Sequence, residues 1–212
     1  MNTEIKAVYF DLGGVYYTEG FRDGLSAIAR KYSVGQKEIY DNAIEIIFSN
    51  GYLHGRAPEK SFWNDLAAAC DIDADMYTER VAILTAFQPD GAMASLVSRL
   101  RELLQVGLLT DQTNWLYDLD ERDALLPAFD TVVNSYEEGF SKRDPEIFRI
   151  ACERFALLPH EIAFFDDNPG NVEKGNEFGV RAYLFESAER TETLLRAEGI
   201  DLPLAGPTAI DG

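Results

Sequence analysis

Ala7-Val8-Tyr9-Phe10-Asp11-Leu12-Gly13-Gly14-Val15 is the stretch whose reading decides the fold. Four residues suited to a buried strand run into Asp11, and two glycines follow where the backbone can turn sharply. A carboxylate is thereby held at the carboxyl end of a strand, where open α/β sheets place their chemistry. Asp11 is a candidate nucleophile or metal ligand, fixed by the strand and exposed to the crevice beyond it. Taken alone, the same residues also describe an ordinary strand-ending turn. The rest of the chain has to separate the two readings.

Immediately downstream the pattern changes from strand to helix. Phe21 to Tyr32, Gln36 to Phe48, Pro58 to Cys70 and Met76 to Phe87 carry apolar residues at helical spacing, for example Ile39, Ala43, Ile46 and Ile47. Pro58 suits a first helical turn. The break from Gly51 to Arg56 is the one with distinctive side chains, Tyr52, His54 and Arg56. After Pro89, strands alternate with helices: Ala92 to Leu104 reads as helix, Val106 to Leu109 and Thr131 to Asn134 as strands. Pro145 to Phe155 then reads as helix, and Ile162 to Phe165 and Ala182 to Phe185 as strands. That alternation predicts an α/β fold, a Rossmann-like parallel sheet flanked by helices, with an all-α insertion after the first strand. Residues 1–15 and 89–212 form the expected core and residues 16–88 the insertion. The Pro-, Gly- and Ala-rich tail from Leu202 to Gly212 is expected to fray.

The chain has 212 residues, 46% of them hydrophobic and 26% charged, which is a globular composition. With 19 Lys and Arg against 37 Asp and Glu, the net charge of −18 argues against nucleic acid or an anionic membrane as partner. A phosphate-bearing ligand meets the same repulsion, so its site needs local cations. Cys70 and Cys152 are neither in metal-binding spacing nor part of a disulfide framework, and reading as buried thiols suits them. The first residues, Met-Asn-Thr-Glu-Ile-Lys, lack an apolar leader, and no run approaches the ~18 apolar residues of a membrane span. The expectation is a cytoplasmic protein, monomeric or homodimeric.

Three further stretches shift the balance at Asp11. Val106-Gly-Leu-Leu-Thr110-Asp111 ends a strand on a hydroxyl and a carboxylate. Gly139-Phe-Ser-Lys142-Arg-Asp144-Pro145 places a cation just before a helix start. Ile162-Ala-Phe-Phe-Asp166-Asp167-Asn-Pro-Gly-Asn171 ends a strand on adjacent carboxylates. Adjacent carboxylates resist ionising together unless a cation joins them, so Asp166 and Asp167 beside Asp11 imply a divalent metal, with Mg²⁺ favoured by an all-oxygen donor set. Each stretch has an everyday structural reading, as a strand end, a turn or a surface lysine. All of them in this order are much harder to explain that way.

In that order, Asp11-Leu-Gly-Gly-Val, Thr110, Lys142 with Asp-Pro-Glu-Ile-Phe, and Asp166-Asp-Asn-Pro-Gly-Asn171 resemble the four motifs of the haloacid dehalogenase superfamily. The resemblance spans nearly the whole chain, with most likeness to the glucose-1-phosphatase-like and epoxide-hydrolase N-terminal-domain-like group, and the 16–88 insertion is similar to that superfamily's cap. It implies a Mg²⁺-dependent phosphatase acting on a small phosphorylated metabolite through an aspartyl-phosphate on Asp11. It assigns catalysis to Asp11, Thr110 and Lys142, metal binding to Asp11, Asp167 and the Gly13 carbonyl, and supporting positions around the metal to Asp166 and Asn171. Asp111, His54 and Arg56 are the candidate substrate contacts.

One position departs from the family pattern. Most phosphatases of this superfamily have a second aspartate two residues after the nucleophile, as proton donor and acceptor, where this chain has Gly13. Such proton transfer contributes about 10²- to 10⁴-fold, so its loss favours a leaving group that departs easily, such as an anomeric sugar phosphate or an acyl phosphate. His54 in the insertion is a candidate substitute acid, with Tyr16 and Tyr17 leading into the closing cap. The alternatives are a catalytically weak or non-catalytic binding protein of the same fold, for which Gly13 speaks, and a 2-haloacid dehalogenase, against which Asp166, Asp167 and Asn171 speak.

Overall fold

The computed structural model describes residues 4–203, so the expected fraying of the tail lies outside the described residues from position 204 onward, as do the first three residues of the N-terminus. The chain begins with strand β1 (Ala7–Phe10), followed by helices α1 (Gly20–Tyr32), α2 (Gln36–Ser49), α3 (Glu59–Cys70) and α4 (Met76–Ala86). Then come α5 (Gly91–Leu100), β2 (Gln105–Thr110), α6 (Trp115–Asp123), β3 (Thr131–Asn134), α7 (Ser135–Glu138) and α8 (Pro145–Phe155). β4 (Ile162–Asp166), α9 (Pro169–Phe178), β5 (Arg181–Leu184) and α10 (Ala188–Ala197) complete it. The five strands form one parallel sheet in the order β3-β2-β1-β4-β5.

Strand alternation sorts the core into two layers. On one face Val8, Phe10, Val106, Leu108, Ala163 and Phe165 pack toward α5, α6, α10 and the four-helix insertion. On the other, Ala7, Tyr9, Leu109, Val133, Ile162 and Phe164 pack against α8 and α9. Gly107 sits opposite Tyr9 in the register, and a Cβ there would come within 2.3 Å of the Tyr9 ring. The insertion shares its apolar core with the sheet, because Leu25, Ile39, Phe62 and Trp63 belong to the same cluster as Phe10. Its two connections run side by side: Thr18 N donates to Gln88 O at 2.9 Å and Asp90 N to Tyr16 O at 2.9 Å.

Several details differ from the sequence-based expectation. Pro58 is the residue before α3, with ψ of 152°, rather than inside its first turn. α5 ends at Leu100, and tight turns from Arg101 to Leu104 redirect the chain into β2, with Arg101 anchored on Asp130 and the Pro127 carbonyl. The Asn-Pro-Gly stretch, read as a turn, starts α9: Asn168 accepts from Gly170 N at 2.8 Å and Pro169 occupies the first helical position. Cys70 and Cys152 are buried free thiols, as expected. No helix among the described residues is long and apolar enough to cross a membrane.

Candidate active site

β1 is followed in the chain by β2 and β3 on one side of it, whereas β4 and β5 lie on the other, so the strand order reverses between β1 and β4. A crevice opens at the carboxyl ends of strands at such a point. Asp11 lies there, its amide bonded to Phe165 O at 2.9 Å, which sets it beside Asp166. One carboxylate oxygen of Asp11, Oδ1, accepts from Leu12 N at 2.7 Å and meets Lys142 Nζ at 2.8 Å. These bonds fix the carboxylate and leave Oδ2 without a hydrogen-bond partner among the described residues.

Lys142 arrives from the segment between α7 and α8 and is 1% exposed. Its backbone amide donates to Asp111 Oδ1 at 2.9 Å, and its ammonium bridges Asp11 and Asp166 Oδ2, the latter at 2.6 Å. Burial opposes charge on the lysine, but Asp11, Asp166 and Asp111 outweigh it and raise its pKa. Asp166 is fully engaged: Oδ1 accepts from Asn168 N at 2.8 Å, both oxygens accept from Asn171 Nδ2 at 3.1 Å, and Oδ2 holds the lysine. It therefore orients Lys142 and Asn171. Thr110, at the end of β2, is buried and lines the same cavity.

Ligand oxygens of Asp11, Asp166 and Asp167 lie within 4.8 Å of one another. Burial, set against Lys142 and reinforced by Asp166, pushes Asp11 up to about 8. Burial together with a carboxyl contact to Glu19 pushes Asp167 up to about 8. One lysine thus does not satisfy this cluster, and a second cation would relieve it. The oxygen-only donors fit a hard divalent ion such as Mg²⁺. Since Asp166 is already committed, Asp11 and Asp167 are the carboxylates with capacity to bind it. Gly14 permits this arrangement: its φ is +73°, and a Cβ would fall 2.4 Å from Asp167 Oδ2.

The cavity in front of these groups has a volume of about 460 Å³. Asp11, Gly13, Thr110, Asp111, Lys142, Asp167 and Asn171, all singled out from the sequence, line it. His54 and Arg56 do not. Their loop is spent on docking the insertion: Arg56 Nη2 donates to Gly139 O at 2.6 Å, Gly55 packs on the Tyr136 carbonyl, and His54 lies edge-on to Phe48. Burial and the nearby Arg56 lower the His54 pKa. Tyr16 and Tyr17 are buried, with Tyr17 Oη donating to Asp123 at 2.8 Å, so they pack the connection into the insertion. Asp111, expected as a substrate contact, spends Oδ1 on the Lys142 amide while still lining the cavity.

Sequence reasoning missed the insertion's real contribution. Glu19, just before α1, Arg22, and the α2 residues Tyr40, Ile44, Ile47 and Phe48 all reach the cavity, as does Arg143 from the core. The helical spacing of Tyr40, Ile44 and Phe48 was visible as one stripe. Nothing in it said that this stripe faces Asp11.

Comparison with known proteins places the chain among characterised hydrolases and their relatives. The chain is 28% identical over 100 residues to the rat bifunctional epoxide hydrolase 2, a match covering 43% of the chain and 18% of that protein. It is 36% identical over 107 residues to a phosphoserine phosphatase of Thermus thermophilus, covering 48% of the chain and 41% of that protein. The chain therefore spans well under two thirds of these relatives. A HAD family enzyme of Bacteroides thetaiotaomicron, solved in complex with magnesium and inorganic phosphate, shares the fold with a TM-score of 0.66, at 22% identity over 86% of this chain and 94% of that one. The family model for haloacid dehalogenase-like hydrolases matches residues 5–179, and the chain belongs to that family.

Proposed function

We propose that this chain is a Mg²⁺-dependent phosphatase of a small phosphorylated metabolite, working through an aspartyl-phosphate on Asp11. The observation that carries the reading is the bridge of Lys142 between Asp11 and Asp166, which fixes one Asp11 oxygen and leaves the other free in front of the cavity. The phosphoserine phosphatase relative and the magnesium and phosphate complex of a fold neighbour support it. In this reading residues 16–88 are the cap over a core of residues 1–15 and 89–212.

Asp11 Oδ2 attacks phosphorus in line, the bond from phosphorus to the bridging oxygen breaks, and its electron pair leaves with the alcohol or phenol oxygen. Water then attacks the phosphorus of the acyl phosphate, releasing inorganic phosphate and restoring the Asp11 carboxylate. Lys142 and the Thr110 hydroxyl stabilise the phosphoryl oxygens, and Asp166 and Asn171 hold their partners in place. Asp11, Asp167 and the Gly13 carbonyl would hold Mg²⁺, which supplies further neutralisation of phosphoryl charge.

Gly13 offers no proton donor, and its site does not demand glycine, since a Cβ would meet only Phe87 Cε1 at 3.8 Å. That favours a leaving group stable as an anion, and it also sustains the second reading, a binding protein without turnover. Hydrolysis of p-nitrophenyl phosphate with and without Mg²⁺ separates them, because that leaving group needs no acid. Wild type should turn over only with the metal, and Asp11→Asn should lose at least 10³-fold. Equal, metal-independent rates for wild type and Asp11→Asn would leave the binding reading.

A further inference from the structure

The roof of the cavity points to what the phosphoryl group is attached to. Tyr40, Ile44, Ile47 and Phe48 form one face of α2 above the site, with Leu53 and Phe87 beside them. Each end of this apolar face carries an arginine. Arg22 from α1 lies over the Tyr40 ring, 4.9 Å from its centroid, and donates to Tyr40 Oη at 3.3 Å. Arg143, next to Lys142, lies 3.5 Å above the Phe48 ring.

In a chain of net charge −18, carboxylates are plentiful, and arginines such as Arg80, Arg99 and Arg101 are paired with them. Among the described residues no salt bridge joins Arg22 or Arg143. Both line the cavity and both are held in orientation by an aromatic ring; Glu19 and Asp167 act on Arg22 electrostatically without a salt bridge, so guanidinium N–H groups stay available to an anion. Tyr40 and Phe48 stand eight residues apart on one helix, about 12 Å along its axis. An apolar slot of that length between two cations suits a flat, apolar leaving group with an acidic substituent. A polyhydroxylated sugar would find few hydrogen-bonding partners on this wall, since Tyr40 is the only α2 residue lining the cavity that offers a hydroxyl.

Resting on the phosphatase reading, we propose that the preferred substrates are phosphate monoesters of an aromatic or similarly apolar alcohol bearing a carboxylate. Arg22 and Arg143, at opposite ends of that slot, are then the specificity-determining residues, one of them receiving the carboxylate according to how the ring lies along α2. A phenolate-type leaving group also departs without the proton that Gly13 cannot give, so the two features of the site select the same chemistry.

The test compares kcat/KM of the Mg²⁺-loaded protein on 4-carboxyphenyl, phenyl and 4-(aminomethyl)phenyl phosphate and on glucose 1-phosphate. The overall negative field of the chain favours the aminomethyl compound, so the order separates the arginines from that field. The expected result is at least tenfold preference for 4-carboxyphenyl over phenyl phosphate, with the aminomethyl ester and glucose 1-phosphate below both. In one of the two variants Arg22→Gln and Arg143→Gln, the one that removes the carboxylate's partner, the carboxyphenyl-to-phenyl ratio should fall toward one, mainly through KM. If wild type hydrolyses the aryl phosphates with a ratio near one, prefers glucose 1-phosphate, or keeps its ratio in both variants, this inference is overturned while the phosphatase reading stands. Absence of metal-dependent hydrolysis of every ester overturns both.

Discussion

At the floor of the cavity Lys142 is buried between Asp11 and Asp166, whereas at its mouth Arg22 and Arg143 lie exposed over Tyr40 and Phe48. The floor hangs on the three central strands and the segment leading into α8. Its charges are desolvated and each has a fixed partner, so removing one leaves another stranded. The mouth is built from helix surfaces, where water and a ligand can share the guanidinium groups, and each ring contact is worth only about 0.5–1 kcal/mol. In the proposed mechanism, rigid, costly electrostatics sit where bonds change, and adaptable electrostatics where a leaving group is chosen.

The severest break in that contrast is Lys142→Met. It should lower kcat by about 10²- to 10³-fold, the scale of removing one transition-state donor. It should also destabilise the fold by about 3–5 kcal/mol, because Asp11 and Asp166 lose their shared cation. Pairing it with Asp166→Asn should recover much of the stability, read by denaturant titration, and none of the activity. Unchanged stability in the single variant would mean that the bridge is not a buried, committed one.

Next in size is Gly13→Asp, which adds the absent carboxylate where a Cβ makes ordinary contact with Phe87. On an alkyl phosphate, whose leaving oxygen needs a proton, the rate should rise about 10- to 100-fold, within the range of general acid catalysis. On p-nitrophenyl phosphate it should change little. A gain of the same size on both esters would show that the new carboxylate acts on the metal and not on the leaving group.

A smaller effect sharpens the comparison through pH. Asp11 and Asp167 are raised to about 8 by burial, with Asp166 adding at the first and Glu19 at the second. Raised carboxyls favour the protonated folded state, so their contribution to metal-free stability is full below the ordinary value near 4 and lost as pH rises through 8. Mg²⁺ requires the ionised forms and competes with those protons. Its affinity, followed by calorimetry, should therefore increase between pH 6 and 8, by up to about tenfold per unit for each proton displaced. A pH-independent affinity over that window would mean that neither carboxyl is protonated in the free site.

His54→Ala is expected to do least. The imidazole is outside the cavity, packed against Phe48, so rates on good and poor leaving groups should stay within about twofold of wild type. A selective loss on the poor leaving group would return His54 to the role of acid and require the insertion to move.

Much of this was legible in the sequence because it is local. A strand running into Asp11, a threonine ending β2, an aspartate pair ending β4 and a lysine before a proline-started helix are each written in neighbouring residues. A parallel sheet necessarily brings strand ends of the same polarity to one edge. The alternation of strands and helices therefore determined the fold class and placed Asp11, Thr110, Lys142, Asp167 and Asn171 around one cavity. Local signals can also mislead: Asn168-Pro169-Gly170 suits a turn as well as a helix start, and here it starts α9.

What the tertiary structure alone decided is which face of each inserted helix looks at Asp11. α2 has apolar residues on more than one side: Ile39, Ala43 and Ile47 are buried in the core, while Tyr40, Ile44 and Phe48 stand partly exposed along the cavity. Periodicity cannot choose between two such stripes, because the choice depends on contacts with α1 and α3. Glu19, Arg22 and Arg143 became site residues in the same way, and His54 and Arg56 ceased to be. A side chain's chemistry is set by its type, but its partners come from packing between segments far apart in the chain.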